Sequence, residues 1–203
     1  MKLRLATIAL ATAALMTTTF GGVSSAGTST HEGARKLPAA SYEPTKLRPG
    51  RHRTRPTFVP LTTFTVGTGW YGNQASRGWW FVGKGLDRTA QGFTGGSIWV
   101  DVLRLRFAKA VSTFESISEL EVGPSTPTRI GGYSGVTFHA KRKGSENVPL
   151  TALGTTADIT ENAGQQTILN VRGKTLLIRT ELGGAAAPAA VQTVLRTLRF
   201  PRH

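Results

Sequence analysis

The sequence predicts an α+β fold, an antiparallel β-sheet with helices packed on it. Three observations predict it. Short runs rich in β-branched and aromatic residues, ended by Gly, Pro or Asn, fill most of the chain from Phe58 onward. Two stretches, one opening at Ser112 and one at Pro188, carry apolar residues at helical spacing. A tight turn at Arg172-Gly173 joins two runs of alternating polarity, which makes them antiparallel neighbours.

The elements follow in order. Residues 61–66 read as a first strand ended by Gly67-Thr68-Gly69, and residues 78–82 as a second closed by Gly83-Lys84-Gly85. Residues 86–96 form a glycine-punctuated linker, and residues 97–107 a long third strand with Ile98, Val100 and Val102 on one face and Trp99, Leu103 and Leu105 on the other. Ser112-Thr113-Phe114-Glu115 has the spacing of a capping box, so the sequence predicts a helix of about nine residues starting there, with Phe114, Ile117 and Leu120 on one side and a stop at Gly123-Pro124. Strands are then expected at 128–130 and 133–140 around Gly131-Gly132, at 155–160, and in the hairpin 166–171 and 174–181. Pro188 suits the first turn of a closing helix whose stripe is Val191, Val194, Leu195 and Leu198.

The chain has 203 residues and a formal charge of +14. Its beginning reads as a secretory leader. Lys2 and Arg4 precede a charge-free stretch over residues 5–20, and Val23-Ser24-Ser25-Ala26 offers small residues at −3 and −1 for cleavage after Ala26. Without Lys2 and Arg4 the charge falls to +12. The protein is therefore expected to be exported, secreted or extracytoplasmic, and of the bacterial envelope type. There is no Cys, so neither a disulfide framework nor lipid attachment at a cysteine is available. No later apolar run approaches the ~20 residues that span a bilayer.

Residues 27–56 carry Arg35, Lys36, Lys46, Arg48, Arg51, Arg53 and Arg55 against Glu32 and Glu43, among Pro38, Pro44, Pro49, Gly50 and Pro56. Low apolar content and net charge oppose ordering, so the segment is expected to be a flexible basic arm. The expected organisation is a leader over 1–26, the arm over 27–56 and one α+β domain over 57–203. Arg48, Arg51, Arg53 and Arg55 are candidate ligand-binding residues, since guanidinium groups pair with phosphates and carboxylates. An anionic wall polymer, anionic lipid headgroups or an envelope protein would be the partner. A spacer between leader and domain is the other reading of the arm.

The segments Phe64 to Trp70 (FTVGTGW), Ile130 to Val136 (IGGYSGV) and Val171 to Ile178 (VRGKTLLI), with the ending Leu198-Arg199-Phe200, resemble an extracytoplasmic domain of actinobacterial and related secreted proteins and lipoproteins. That domain is similar to the PsbP/Mog1-like α/β/α sandwich of LpqN-type lipoproteins, although the lipoprotein Cys is missing here. The resemblance implies the sandwich fold and a non-enzymatic envelope role, and it transfers no active site.

The residues carry little catalytic chemistry. Of His31, His52, His139 and His203, His139 alone falls well inside the predicted domain. Ser134 lies in Gly132-Tyr133-Ser134-Gly135, one residue short of the G-x-S-x-G nucleophile elbow. A hydrolase using Ser134 or His139 is the rival to a non-catalytic binding or accessory protein. Asp87, Asp101, Asp158 and Glu161 are too scattered for a calcium loop, the glycine-rich pieces lack the phosphate-loop Lys, and basic charge without a recognised motif does not make a specific nucleic-acid binder. No cofactor and no metal is expected. Adjacent Trp79 and Trp80 must point to opposite faces of their strand. One ring is core, and the other is either covered or left open as a platform for a sugar or an acyl chain.

Overall fold

The computed structural model describes residues 33–41, 43–75, 78–89, 92–160, 163–181 and 187–201. In chain order the strands are β1 (Arg35–Lys36), β2 (Thr45–Lys46), β3 (Gly50–Arg53), β4 (Thr63–Val66), β5 (Trp70–Gln74), β6 (Trp79–Lys84), β7 (Leu86–Asp87), β8 (Gly92–Phe93) and β9 (Ser97–Leu103). Helix α1 (Phe107–Glu115) follows, then β10 (Leu120–Val122), β11 (Thr126–Ile130), β12 (Tyr133–Arg142), β13 (Val148–Pro149), β14 (Asp158–Ile159), β15 (Ala163–Val171), β16 (Lys174–Glu181) and helix α2 (Ala187–Thr197). The fold is α+β, dominated by antiparallel sheet.

The main sheet has nine strands in the order β10-β12-β15-β16-β9-β6-β5-β2, with β11 also paired to β12. Its pairings are antiparallel. The β15–β16 hairpin turns at Arg172 (φ 52°) and Gly173 (φ 77°), the left-handed pair of a type I′ turn that matches strand twist.

Register places Trp80 opposite Val100, Val82 opposite Ile98 and Val100 opposite Ile178 on one face. These residues form a core with Phe64 and Val66 of β4 and with Val191, Val194 and Leu195 of α2. A second, three-stranded sheet, β1-β3-β4, and α2 thus close that face. On the other face Leu177, Ile168 and Phe138 pack with Leu103, Ala110 and Phe114 around α1 and with Leu150, Leu153 and Ile159. There is one helix on each side of the main sheet, as alternating apolar faces require.

Four expectations need correction. The basic segment is not a free arm: of residues 27–56, all but 27–32 and Tyr42 are described, and they belong to the compact unit that begins at Gly33. Leu37 is 0% and Leu47 4% exposed. β1 pairs parallel to β3, β3 antiparallel to β4 and β2 to β5. Two buried amides of β5 tie the segment down. Asn73 Oδ1 accepts the Thr45 amide at 3.2 Å, and Gln74 Oε1 accepts the Arg55 amide at 2.6 Å. Two isolated leucines and backbone pairing thus offset the ordering entropy that charge and proline suggested was uncompensated.

The second correction concerns the capping box. α1 starts five residues before Ser112, whose hydroxyl donates to the Lys109 carbonyl within the helix at 3.1 Å. Phe114 is buried on α1 and Leu120 on β10, so both are core under either assignment and apolar spacing could not separate them. Third, the strand expected over 97–107 ends at Leu103, and Phe107 already opens α1. Fourth, a strand, β5, forms between the two strands expected at 61–66 and 78–82, where none was assigned. The proposed leader, residues 1–26, lies outside the described residues. Among the described residues no helix is long and apolar enough to cross a membrane.

Candidate functional site

The face that carries α1 is only partly covered. Beyond the helix, one row across the sheet runs Phe81, Trp99, Arg179 and Gln166, and the next places Trp79 opposite Asp101. Phe81 and Trp99 stack with centroids 4.4 Å apart, and Trp79 lies 5.9 Å from Trp99 and 6.1 Å from Phe81, tilted to both. The Arg179 guanidinium sits 5.5 Å from the centroid of the Trp99 ring. Trp99 is therefore held between Phe81 and Arg179, while Trp79 caps the group and stays half-buried.

Clefts open on both sides of the Trp79–Trp99 ridge. One, of about 300 Å³, is lined by Asp101, Asp158, Thr160, Arg179 and Glu181 in addition to the two rings. The other, of about 500 Å³, is bounded by Phe81, Phe93, Asn73, Glu43, Asp87 and Arg88. Gly83 makes the second wall possible. A Cβ there would collide with the Phe93 ring, which lies directly on the glycine and packs 5.9 Å from Phe81.

Polar groups at the base are mostly committed to each other. Arg179 Nη2 pairs with Asp101 Oδ2 at 3.2 Å, its Nη1 donates to the Asp158 carbonyl at 2.7 Å, and the Thr155 hydroxyl donates to Asp101 Oδ1 at 3.2 Å. Burial pushes the Asp101 carboxyl above its ordinary range, against the downward pull of Arg179 and Thr155. Glu181 accepts from Ser97 Oγ at 2.5 Å, Trp99 Nε1 at 3.2 Å and Thr160 Oγ1 at 3.4 Å. The Asp158 carboxylate has no such partner among the described residues. Counting the lining charges, Glu43, Asp87, Asp101, Asp158 and Glu181 against Arg88 and Arg179, the clefts are acidic on a chain of charge +14.

The sequence-level candidates divide. Trp79 lies at the centre of the ridge. Trp80 is 0% exposed and stacks on Phe64 at 4.8 Å, so it is core and cannot touch a ligand. Arg48, Arg51, Arg53 and Arg55 are exposed, but none lines these clefts. Ser134 and His139 are odd-spaced on β12 and so project from opposite faces of the sheet, roughly 17 Å apart along the strand. The cleft around His139 is lined by Glu121, Lys141 and Gly164 among others and contains no Ser, Thr or Cys. Sequence reading missed Trp99, Asp158 and Glu181 as one group. The signal available was modest: Trp99 and Asp101 alternate on one strand, as do Arg179 and Glu181 on another. Among the described residues no cluster of His, Cys, Asp and Glu could hold a metal ion.

No family model and no curated protein matches the chain. A crystal structure at 1.50 Å from Bacteroides thetaiotaomicron VPI-5482 is similar to it with a TM-score of 0.41 and 8% identity, over 70% of this chain and 46% of that one. The chain thus spans less than half the length of that protein.

Proposed function

We propose that the protein is an exported, non-catalytic binding protein that holds a saccharide ring against Trp79. The observation that carries this reading is the half-open Trp79–Trp99 ridge with a polar, carboxylate-lined cleft on either side. A sugar ring offers C–H groups to the indole face and hydroxyls that donate to carboxylates. An acyl chain fits less well, because it would strip water from Asp158 and Glu181 without replacing their hydrogen bonds.

The way the carboxylates are used favours binding without turnover. Glycoside hydrolysis needs two of them free to act as acid and as base or nucleophile, whereas Asp101 and Glu181 are occupied by Arg179, Thr155, Ser97, Trp99 and Thr160. A hydrolase built on Ser134 or His139 has less support, given their divergent directions on β12. The leader-like residues 1–26 support export, and a helix on each face of one antiparallel sheet is compatible with the PsbP/Mog1-like sandwich that the sequence resembles.

The test is a titration of intrinsic fluorescence with soluble N-acetylhexosamine and glucan oligomers. Of the four Trp, Trp70 and Trp80 are buried, so a ligand at the ridge reports through Trp79 and Trp99. Saturable quenching that Trp79→Ala removes, with no new reducing ends after long incubation, is the expected result. Release of reducing ends, or unchanged binding in Trp79→Ala, refutes the reading.

A further inference from the structure

On the opposite side of the molecule, we propose that the outer face of β1-β3-β4 is a docking surface for a linear phosphate polymer. Lys36 of β1 lies opposite Arg53 of β3, Arg53 opposite Thr63 of β4, and Thr63 bridges Arg199, with reciprocal backbone hydrogen bonds of 2.8 Å. The three strands β1, β3 and β4, with the isolated bridge at Arg199, therefore place Lys36, Arg53 and Arg199 in one row, and Arg51, opposite Thr65, flanks it one pleat along β3. Alternation sends Phe64 and Val66 into the core and leaves these four cations exposed.

Among the described residues no carboxylate pairs with Lys36, Arg51, Arg53 or Arg199. Neither β1, β3, β4 nor α2 contains an Asp or Glu, and no acidic residue occurs between Glu43 and Asp87. Among the described residues Lys36, Arg51 and Arg53 have no side-chain hydrogen bond or ion pair. Among the described residues the Arg199 side chain donates only to the carbonyls of Arg196 and Leu198. Arg55, at the end of the same segment, gives its Nε to the Leu37 carbonyl, and the rest of its guanidinium has no partner among the described residues.

The spacing selects the partner. Adjacent strands lie ~4.8 Å apart and residues two apart on a strand ~6.7 Å, so the cations form a grid that meets successive phosphates of an extended chain, with each guanidinium offering a two-pronged contact. Nucleobases have nothing to stack on there, since Phe64, His52 and Trp80 are buried and Val59 is the one large apolar residue exposed among the described residues. Insertion into a lipid surface lacks an anchor for the same reason. Burial of Leu37 and Leu47 has already ordered the segment, so the cations are displayed on a fixed sheet and little ordering remains to oppose binding.

The probe is long-chain inorganic polyphosphate, followed by fluorescence anisotropy at several salt concentrations. Arg51→Gln/Arg53→Gln/Arg199→Gln changes only exposed side chains. It should weaken binding about ten-fold or more and make the salt dependence shallower by roughly one unit of log–log slope per lost contact. Lys109→Gln/Lys141→Gln/Lys143→Gln, which removes the same charge elsewhere, should weaken it less than about three-fold, and Trp79→Ala should leave it unchanged. Equal losses in the two triple variants would show attraction by net charge alone and overturn the proposal. So would retention on phosphatidylglycerol vesicles that exceeds polyphosphate binding and is insensitive to the first triple. Because the saccharide reading rests on Trp79 and this one on Arg51, Arg53 and Arg199, either can fail without the other.

Discussion

The two faces of the main sheet carry neighbouring residues of one strand to opposite ends. Trp80 looks toward the face closed by the small sheet and α2 and is fully enclosed against Phe64, whereas Trp79 looks toward the face that α1 covers only in part and remains half-open. Charge divides the same way. The partly covered face concentrates five of the chain's eleven carboxylates around its clefts, while the small sheet on the other side presents arginines and a lysine without an acid. The difference teaches that side-chain type does not mark a site in this protein. What marks it is which layer covers the residue.

The largest effects should come from breaking what each face buries. Arg179→Met leaves the Asp101 carboxylate buried without its counter-ion, with the Thr155 hydroxyl as its remaining donor, and should cost about 3–5 kcal/mol in urea unfolding, with Asp101→Leu/Arg179→Met restoring most of it. If the double variant is no more stable than the single, the pair is not the unit. Trp80→Ala should cost a similar ~3–5 kcal/mol. Trp79→Ala should cost only about 1–2 kcal/mol, since the ring is half-exposed, and equal losses would abolish the distinction between the faces.

A smaller effect is expected at Gly83→Ala, where the new methyl must push the Phe93 ring aside at about 1–3 kcal/mol. Crystallography or ring-current shifts should find Phe93 displaced and the larger cleft reshaped, with the basic face unaffected. Smallest is a pH effect on the closed side. His52 is 3% exposed, its Nε2–H donates to the Arg48 carbonyl at 2.8 Å, and Nδ1 has no partner among the described residues. Burial, with help from Arg35, holds its pKa below the ordinary 6.5 despite the Arg48 carbonyl. The folded state thus prefers neutral His52, so its stabilising contribution is complete above 6.5 and declines as pH falls from 6.5 toward the folded pKa. Denaturation midpoints taken between about pH 5 and 7 should show that decline, and His52→Phe should flatten it. An unchanged slope in the variant would assign the decline to other groups.

Much of the framework was legible from residues alone. Alternation in 166–171 and 174–181 with Arg172-Gly173 between them reads as the hairpin that forms β15–β16, and Pro188 with Val191, Val194, Leu195 and Leu198 reads as α2, because turn chemistry and periodicity act over a few residues. Opposite directions for Trp79 and Trp80 also follow from strand geometry. Local pattern could not say which ring would be covered, since that depends on β4, some fifteen residues earlier in sequence, arriving against Trp80. Nor could it show that Asn73 and Gln74 would capture the basic segment, or that Asp101, Asp158, Arg179 and Glu181 would meet across β9, β14 and β16. Sequence by itself determined the α+β class, the hairpin, the closing helix and the charge imbalance, all set by local sterics and composition. Tertiary structure alone decided the docking of residues 33–56, the true start of α1 and the aromatic cleft, because each depends on burial and hydrogen bonds between residues far apart in the chain.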